Sequence, residues 1–170
     1  MKLFERIFGG KKPEQDNPSA GWAADLSAPL ELDLAAQRFC GVGLGESARG
    51  LERIGPSSGW NVSSDEICLT YAGLGFTLFI DPAGNLEGID VNLLAEDDMA
   101  AFAGHWTLEG QRVAINNAST PAEVATLMGR TDESRMADTP YLVYRRGTGL
   151  IEFDWGGGSL ENILINRQAQ

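Results

Sequence analysis

The stretch LENILIN, residues 160–166, has an echo 74 residues earlier in LEGIDVN, residues 86–92. Four of the seven positions are identical between the two stretches. Both stretches are apolar segments that follow a cluster of turn-forming residues, which is the pattern of a β-strand after a hairpin turn. The pair of stretches predicts that the chain uses the same local structure twice.

The same offset continues outward from this pair. When residues 30–93 are laid over residues 104–167, identities recur in one order, with a one-residue slip over the first strands. Self-similarity at a fixed spacing is typical of internal duplication, which we therefore predict. The matching residues are Leu34 and Leu108, Gln37 and Gln111, Arg38 and Arg112, Gly55 and Gly129, Leu69 and Leu142, Tyr71 and Tyr144, and Asp81 and Asp154.

Each unit is predicted to begin with short extended segments, at residues 30–34 in the first unit and at 106–108 and 112–115 in the second. A short helix and a meander of three strands follow. In the second unit, Thr120, Pro121 and Glu123 form a capping-box pattern with proline at the first helical position, and Gly129 suits the helix end. Gly, Pro and Asn separate the strands and favour tight turns. The strands are expected at residues 67–72, 76–81 and 86–93, and again at 141–146, 150–154 and 160–166.

We therefore expect an α+β fold made of two tandem copies of a short-helix plus three- to four-stranded antiparallel meander unit. One such unit cannot cover its own sheet, so the two meanders should pack together or form one continuous curved sheet. The expected divisions are a mobile N-terminal tail and linker at 1–29, repeat unit 1 at 30–93, a connecting helix at 94–103 and repeat unit 2 at 104–170. The two units should form one domain.

The charge distribution limits the classes of partner. The chain of 170 residues has a net charge of −11, but residues 1–12 carry four basic residues and one acidic residue, so the remainder carries −14. A body this acidic repels nucleic acid and attracts a basic protein. Solubility alone is the alternative explanation of the charge. Cys40 and Cys68 form no metal-binding or paired spacing, so each is expected to be a buried apolar side chain.

Residues 1–10, MKLFERIFGG, are the one segment with an amphipathic pattern that could contact a membrane. A mobile tail, or a helix docked on its own domain, explains the pattern as well, because two helical turns are marginal alone. The chain shows no secretory signal pattern and no apolar run of about 18 residues, so a cytoplasmic location is expected.

No catalytic residue, metal site or cofactor is predicted. His105 is the single histidine and has no Cys or His at metal-ligand spacing. The glycine-rich residues 41–45 lack the long following helix and the later acidic residue of a dinucleotide-binding unit. Glu96, Asp97 and Asp98 would point in different directions on a helix and would not converge on a metal ion.

A family resemblance bears on function. The pattern GLGES at residues 43–47 running to IGP at 54–56, and ASTPAEV at 118–124 running to LMG at 127–129, resembles the helix-and-meander module of the SmpA/OmlA outer-membrane assembly lipoproteins. It is also similar to the tandem units of secreted β-lactamase inhibitor proteins. The resemblance implies a fold that grips other proteins without a catalytic site. The chain departs from these families because it has no lipobox and no cysteine pair within a unit.

Two groups of residues are candidate partner-binding positions. Trp155, beside three glycines, and Trp60, in a Gly/Ser loop, have the character of interface anchors, although either could fold back onto the core. A second group alternates with expected core positions and could form an acidic sheet face, or simply a solvated one. Its members are Glu87, Asp90, Glu152, Asp154 and Glu161.

These observations favour a non-catalytic protein-binding module. In its sharpest form this would be an acidic immunity or inhibitor protein that neutralises a basic partner such as a toxin. One alternative is a structural or adaptor protein tethered by its N-terminal amphipathic segment. Another is a small-ligand binder, or an enzyme, that uses a cleft between the two repeats.

Overall fold

The computed structural model describes residues 16–96, 98–136 and 139–168. Strands make up 43% of it and helices 12%, so the α+β prediction of two helix-plus-meander repeats is wrong: the protein is mainly β. In chain order the strands are β1 (Glu31–Asp33), β2 (Arg38–Phe39), β3 (Val42–Gly43), β4 (Gly59–Val62), β5 (Ile67–Tyr71), β6 (Phe76–Ile80), β7 (Leu86–Asn92), β8 (His105–Leu108), β9 (Gln111–Val113), β10 (Glu133–Arg135), β11 (Tyr141–Arg146), β12 (Gly149–Gly156) and β13 (Ser159–Arg167).

Eight of these strands form one antiparallel sheet in the order β10-β11-β12-β13-β7-β6-β5-β4. At its centre β7 and β13, which contain the similar stretches 86–92 and 160–166, pair directly through five residue pairs, from Asn162 with Asn92 to Asn166 with Gly88. Main-chain hydrogen bonds therefore close the seam where a cleft between the two halves would lie. The six strands predicted from the positions of turn-forming residues are present at or near the expected positions.

The other five strands form a smaller sheet in the order β3-β2-β1-β8-β9. Its central pair, β1 and β8, is parallel, with Leu32 opposite Trp106. The two strands are far apart in the chain, and a parallel pair requires a long crossover connection, which here includes half of the large sheet. Extended segments were expected near β1, β8 and β9, but strand periodicity alone does not reveal that they pair into a second sheet.

The core lies between one face of the large sheet and the small sheet with its flanking turns. Along β12, for example, Ile151 and Phe153 are fully buried, while Leu150, Glu152 and Asp154 at the alternate positions are half-buried. Phe39 of the small sheet meets Phe76 of the large sheet edge to face, with ring centroids 4.9 Å apart. Aromatic contacts of this kind add to the burial of apolar area that holds the two layers together.

The single α-helix of the described chain, α1 (Pro121–Met128), has the predicted capping box. Thr120 accepts a hydrogen bond from the Glu123 amide, and the Glu123 side chain bonds back to Thr120. The corresponding segment of the first half, Ala48–Ile54, is a 3₁₀ helix instead. Both helices cover little of the sheet, which is why the small sheet is needed as the second layer.

The prediction of a connecting helix at residues 94–103 is wrong, because the described residues of this segment form no helix. Glu96 and Met99 form an isolated β-bridge within this segment. The Asn92 side chain donates hydrogen bonds to the carbonyl oxygens of Leu94 (2.7 Å) and Ala100 (3.0 Å). Because a side-chain amide binds these carbonyls, the segment is held as a tight loop against the end of β7.

The expected helical face of residues 1–10 lies outside the described residues. The described part of the predicted linker is not free of the domain. Ser19 is fully buried, and its hydroxyl lies 3.0 Å from that of Ser57. The Asn17 side chain donates to the Ser57 carbonyl at 3.2 Å. The chain is therefore fixed to the domain from about residue 17 onward.

Candidate functional site

The face of the large sheet opposite the core carries a row of polar side chains. Residues paired across neighbouring strands lie on the same face. Pairing runs from Glu133 to Val143, Glu152, Leu164, Asp90, Thr77 and Thr70 in turn, from strand β10 to strand β5. Asp154 lies two residues after Glu152 on β12 and therefore on this face as well. We call Asp90, Glu133, Glu152 and Asp154 the acidic face.

Glu152 and Asp154 interact directly. Burial raises the pKa of Glu152, and the negative charge of Asp154 raises it further. Burial also raises the pKa of Asp154, partly offset by the positive charge of Arg135. Because the two groups carry like charge, the pair holds a proton more readily than two separate carboxylates would.

Asp90 lies two strands away from Glu152, with Leu164 between them. Burial raises the pKa of Asp90 to about 6, and the charge of Asp154 contributes. On its other side are Thr77 and Thr70, both buried, with their hydroxyl oxygens 3.3 Å apart. Asp90 is thus a carboxyl group in a poorly solvated part of the face, and its charge is incompletely compensated.

Glu133, at the edge of the sheet, is better compensated. Its carboxylate accepts a hydrogen bond from the Tyr141 hydroxyl at 2.8 Å and lies 3.8 Å from the Arg145 guanidinium. None of the ion pairs formed by the described residues includes Asp90, Glu152 or Asp154. The uncompensated charge of the acidic face is therefore concentrated on β7 and β12.

Glu87 and Glu161 occupy a different position from the one expected. Each is the extra residue of a β-bulge, opposite the register shifts at Phe79 and Asp154. The Glu87 carboxylate pairs with Arg167 at 2.9 Å, which compensates its charge. Glu161 packs against Gly156 and raises the pKa of Asp154 through its charge. Glu161 therefore borders the acidic face, whereas Glu87 belongs to an ion pair at one end of the sheet.

Trp155 and Trp60, the two tryptophans predicted as possible interface anchors, lie on the core side of the large sheet. Trp155 is 4% exposed, and its indole nitrogen donates to the Ser119 carbonyl oxygen at 2.8 Å. Trp60 is half-buried on edge strand β4, opposite Leu69, and packs against the core. The prediction of exposed aromatic anchors is wrong for Trp155, since β12 continues to Gly156 and places the ring inside. Because Ile151, Phe153 and Trp155 occupy every second position, the sequence pattern already indicated that Trp155 faces the core.

His105 has a partner that the sequence did not reveal. Its Nε2 lies 3.0 Å from the Glu31 carboxylate, directly across the parallel pair of β1 and β8. In the glycine-rich segment, the Glu46 carboxylate accepts a hydrogen bond from the Gly43 amide and pairs with Arg38. The Gly43 amide is therefore already bonded within the segment.

Two open grooves of about 800 Å³ flank the small sheet and α1. One runs along α1, between Ile115 and Leu127. The other lies beside His105 and Arg112, under the loop that connects the two halves of the chain. Both are shallow and largely apolar, and neither includes a residue of the acidic face. They offer room for a small molecule but no converging catalytic groups among their lining residues.

The described residues contain no cluster of three or more His, Cys, Asp or Glu side chains arranged to hold a metal ion. Within the same ranges, no helix has the length and hydropathy that a membrane span requires. Cys68 is buried, and burial raises the pKa of its thiol to about 12, so it stays protonated at neutral pH. The acidic face is the candidate site because three of its carboxyl groups have no ion-pair partner among the described residues.

Comparison with known proteins supports the fold alone. No protein-family model matches the chain, and no curated protein matches its sequence. The crystal structure of the DUF4309 family protein YjgB from Bacillus subtilis subsp. subtilis str. 168 is similar, with a TM-score of 0.51. The similarity covers 79% of this chain and 88% of that chain, at 12% identity. The resemblance to the SmpA/OmlA and β-lactamase inhibitor families stays a prediction.

The sequence analysis missed Glu133 as a member of the acidic face and Tyr141 as its hydrogen-bond partner. Edge strand β10, at residues 133–135, is not among the strands that the sequence predicts. Thr70 and Thr77, which share the row with Asp90, were missed as well. The signal was present, because both threonines occupy alternate positions opposite the core residues of β5 and β6.

Proposed function

We propose that this chain is a non-catalytic protein-binding module whose acidic face binds a basic partner protein. In the sharpest form of the proposal it is a cytoplasmic immunity or inhibitor protein that neutralises a basic toxin. The observation that supports this best is the set of three carboxyl groups, Asp90, Glu152 and Asp154, held on one sheet face without an ion-pair partner in the described chain.

The arrangement favours a cationic surface for electrostatic reasons. Burial raises the pKa values of these three groups, and the charge of Asp154 raises those of Asp90 and Glu152 further, so the isolated protein bears a cost for ionising them. Lysine or arginine side chains from a partner would offset that cost. Half-buried Tyr141 and Leu164 lie among the carboxyl groups and provide apolar contact area, as protein interfaces combine both. The body charge of −14 would also speed association with a basic protein.

The same reasoning predicts the direction of the pH dependence. A cationic partner stabilises the charged form of Asp90 and lowers its pKa on binding. Affinity should therefore increase as the pH rises through about 6, the pKa of Asp90 in the free protein. A partner that bound only through the groove along α1, which no histidine lines, would show no such dependence at that pH.

The proposal is tested by capturing partners from a lysate of the native cell with the tagged full chain at low and high salt. The double variant Glu152→Gln, Asp154→Asn removes two charges from the acidic face. The matched control Glu52→Gln, Glu109→Gln removes two exposed charges elsewhere. We expect one basic protein to bind the unmodified chain and the control, to be lost at high salt, and to bind the acidic-face variant at least tenfold more weakly. Equal weakening by both variants, or binding that is insensitive to salt, would reject the acidic face as the binding surface.

A further inference from the structure

The groove beside His105 and Arg112 opens where the pairing of β8 with β9 ends, at Trp106 and Val113. We call this groove the hairpin groove. Its residues are 93–95, 101–102, 104–106 and 112–117. Its volume of about 810 Å³ lies within the range of about 300–1,000 Å³ that is usual for small-molecule sites.

Much of the lining of the hairpin groove is apolar. The half-buried ring of Phe102 meets that of Trp106 edge to face, with centroids 5.3 Å apart. Half-buried Val113 and buried Ile115 also line the groove. An aromatic or aliphatic ligand body would remove apolar surface of these side chains from water, which favours binding.

The lining differs in charge from the rest of the protein. Arg112 is exposed and lines the hairpin groove, and no aspartate or glutamate is among the described residues that do so. The groove along α1, by contrast, includes Glu123. A recess at one end of the large sheet has an acidic lining that includes Asp65, Glu66, Asp81 and Glu87. In a body of charge −14, the hairpin groove is therefore suited to an anion.

The charge of Arg112 is not compensated within the chain. None of the ion pairs formed by the described residues includes Arg112. The nearby Glu31 carboxylate is bonded to His105, at 3.0 Å from Nε2. A guanidinium group binds a carboxylate well because its parallel N–H donors match the two oxygens. Arg112 is thus placed to bind an acidic group at the edge of an apolar groove.

We propose that the hairpin groove binds a small amphipathic carboxylate, whose acidic group pairs with Arg112 and whose apolar body lies against Phe102, Val113 and Ile115. The acidic body of the protein repels anions at long range, so the affinity comes from these local contacts. The hairpin groove contains no residue of the acidic face. This binding is therefore additional to the proposed function and does not depend on it.

Two dyes with the same aromatic body separate the roles of charge and apolar area. Anilinonaphthalene sulfonate carries one negative charge, and N-phenylnaphthylamine lacks the sulfonate and is neutral. Both fluoresce more strongly in apolar surroundings, so titration of the purified full chain gives a dissociation constant for each. The variants are Arg112→Gln, which removes the charge, and Arg112→Lys, which keeps it. Arg49→Gln is the matched control, because Arg49 is also exposed and in no ion pair but lies outside the hairpin groove.

We expect Arg112→Gln to weaken binding of the sulfonate dye about fivefold and that of the neutral dye less than about twofold, as the loss of one partly exposed ion pair predicts. Arg112→Lys and Arg49→Gln should keep most of the affinity for both dyes. The neutral dye should displace the sulfonate dye, since both use the same apolar wall. Octanoate should displace the sulfonate dye at a lower concentration than octanol does, because only octanoate can pair with Arg112. A cooperative urea transition for each variant would show that it is folded.

Four outcomes would overturn the proposal. If the unmodified chain binds neither dye, the hairpin groove is not a site for such molecules. Equal weakening by Arg112→Gln and Arg49→Gln would mean that overall charge, and not Arg112, sets the affinity. If the neutral dye fails to displace the sulfonate dye, the two occupy different places. If octanol displaces the dye as well as octanoate does, the site has no preference for an acidic group. None of these results involves the acidic face, so the capture experiment judges the proposed function separately.

Discussion

Replacing Asp90 by asparagine should stabilise the protein at neutral pH. Asp90 lies on β7 between Leu164 and Thr77, where burial and the charge of Asp154 raise its pKa to about 6. In the unfolded chain an aspartate has a pKa of about 3.9. The folded state therefore binds the Asp90 proton more tightly than the unfolded state does. Stability conferred by the neutral form is lost as the pH rises through the interval between these two values.

The size of the effect follows from the separation of the two pKa values. Two pKa units correspond to about 3 kcal/mol, since each unit is worth about 1.4 kcal/mol. The free energy of unfolding of Asp90→Asn should equal that of the unmodified protein below about pH 4. It should exceed it by up to about 3 kcal/mol above about pH 7. Asparagine is nearly isosteric with the protonated acid, so packing contributes little to the difference.

The assay is equilibrium urea unfolding of both proteins across this pH range. Asp81→Asn serves as a control of opposite sign. The Asp81 carboxylate accepts hydrogen bonds from the Asn85 amide and side chain, which lower its pKa, so its loss should destabilise the protein as the pH rises above the usual aspartate range. If Asp90→Asn changes stability equally at every pH, or lowers it at pH above about 7, the account of Asp90 as a poorly solvated carboxyl group is wrong.

The buried position of Trp155 predicts that Trp155→Ala lowers the free energy of unfolding by about 3–5 kcal/mol, as large-to-small core substitutions do. Trp155→Phe keeps contact with Phe153 but loses the bond to the Ser119 carbonyl and should cost less, about 1–3 kcal/mol. An exposed interface anchor would leave urea unfolding unchanged in both variants. At Gly75, φ is +78° and an added Cβ would lie 2.6 Å from the Phe102 amide nitrogen, so Gly75→Ala should destabilise by at least about 2 kcal/mol. Gly73→Ala, where nothing lies within 4 Å, is the matched control and should change thermal stability little; similar losses in both would contradict the close approach.

The strands of the large sheet could be located from sequence because their signals are local. Residues 76–80 and 86–92 alternate around a turn of Asp, Pro, Gly and Asn, and the structure forms strands there. The capping box of Thr120 and Glu123 is equally local and is present. The prediction of a helix at 94–103 was wrong because other hydrogen bonds compete with the helical ones: the Asn92 side chain binds carbonyls of the segment, and the Ala100 amide donates to the distant Ala72 carbonyl.

In the candidate site, too, some features follow from local sequence patterns and others depend on the partner strand. Alternation predicted that Asp90, Glu152 and Asp154 face away from the core, and the strand register places them on one face. It did not predict that Glu87 and Glu161 fall in bulges, because a register shift depends on the partner strand. Trp155 was judged by its glycine neighbours, although the alternation of β12 continues through it.

By itself, the sequence determined the positions of the main strands, the α1 cap and the acidic character of the body, since each depends on residues close together in the chain. Tertiary structure alone decided the class of the fold. The parallel pairing of β1 with β8 and the central pairing of β7 with β13 join residues about seventy positions apart, and they create two sheets in place of two helix-covered units. The pairing of β7 with β13, which also pairs with β12, brings Asp154 close enough to raise the pKa of Asp90. Charge repulsion and desolvation depend on distance in space, which local sequence patterns do not encode.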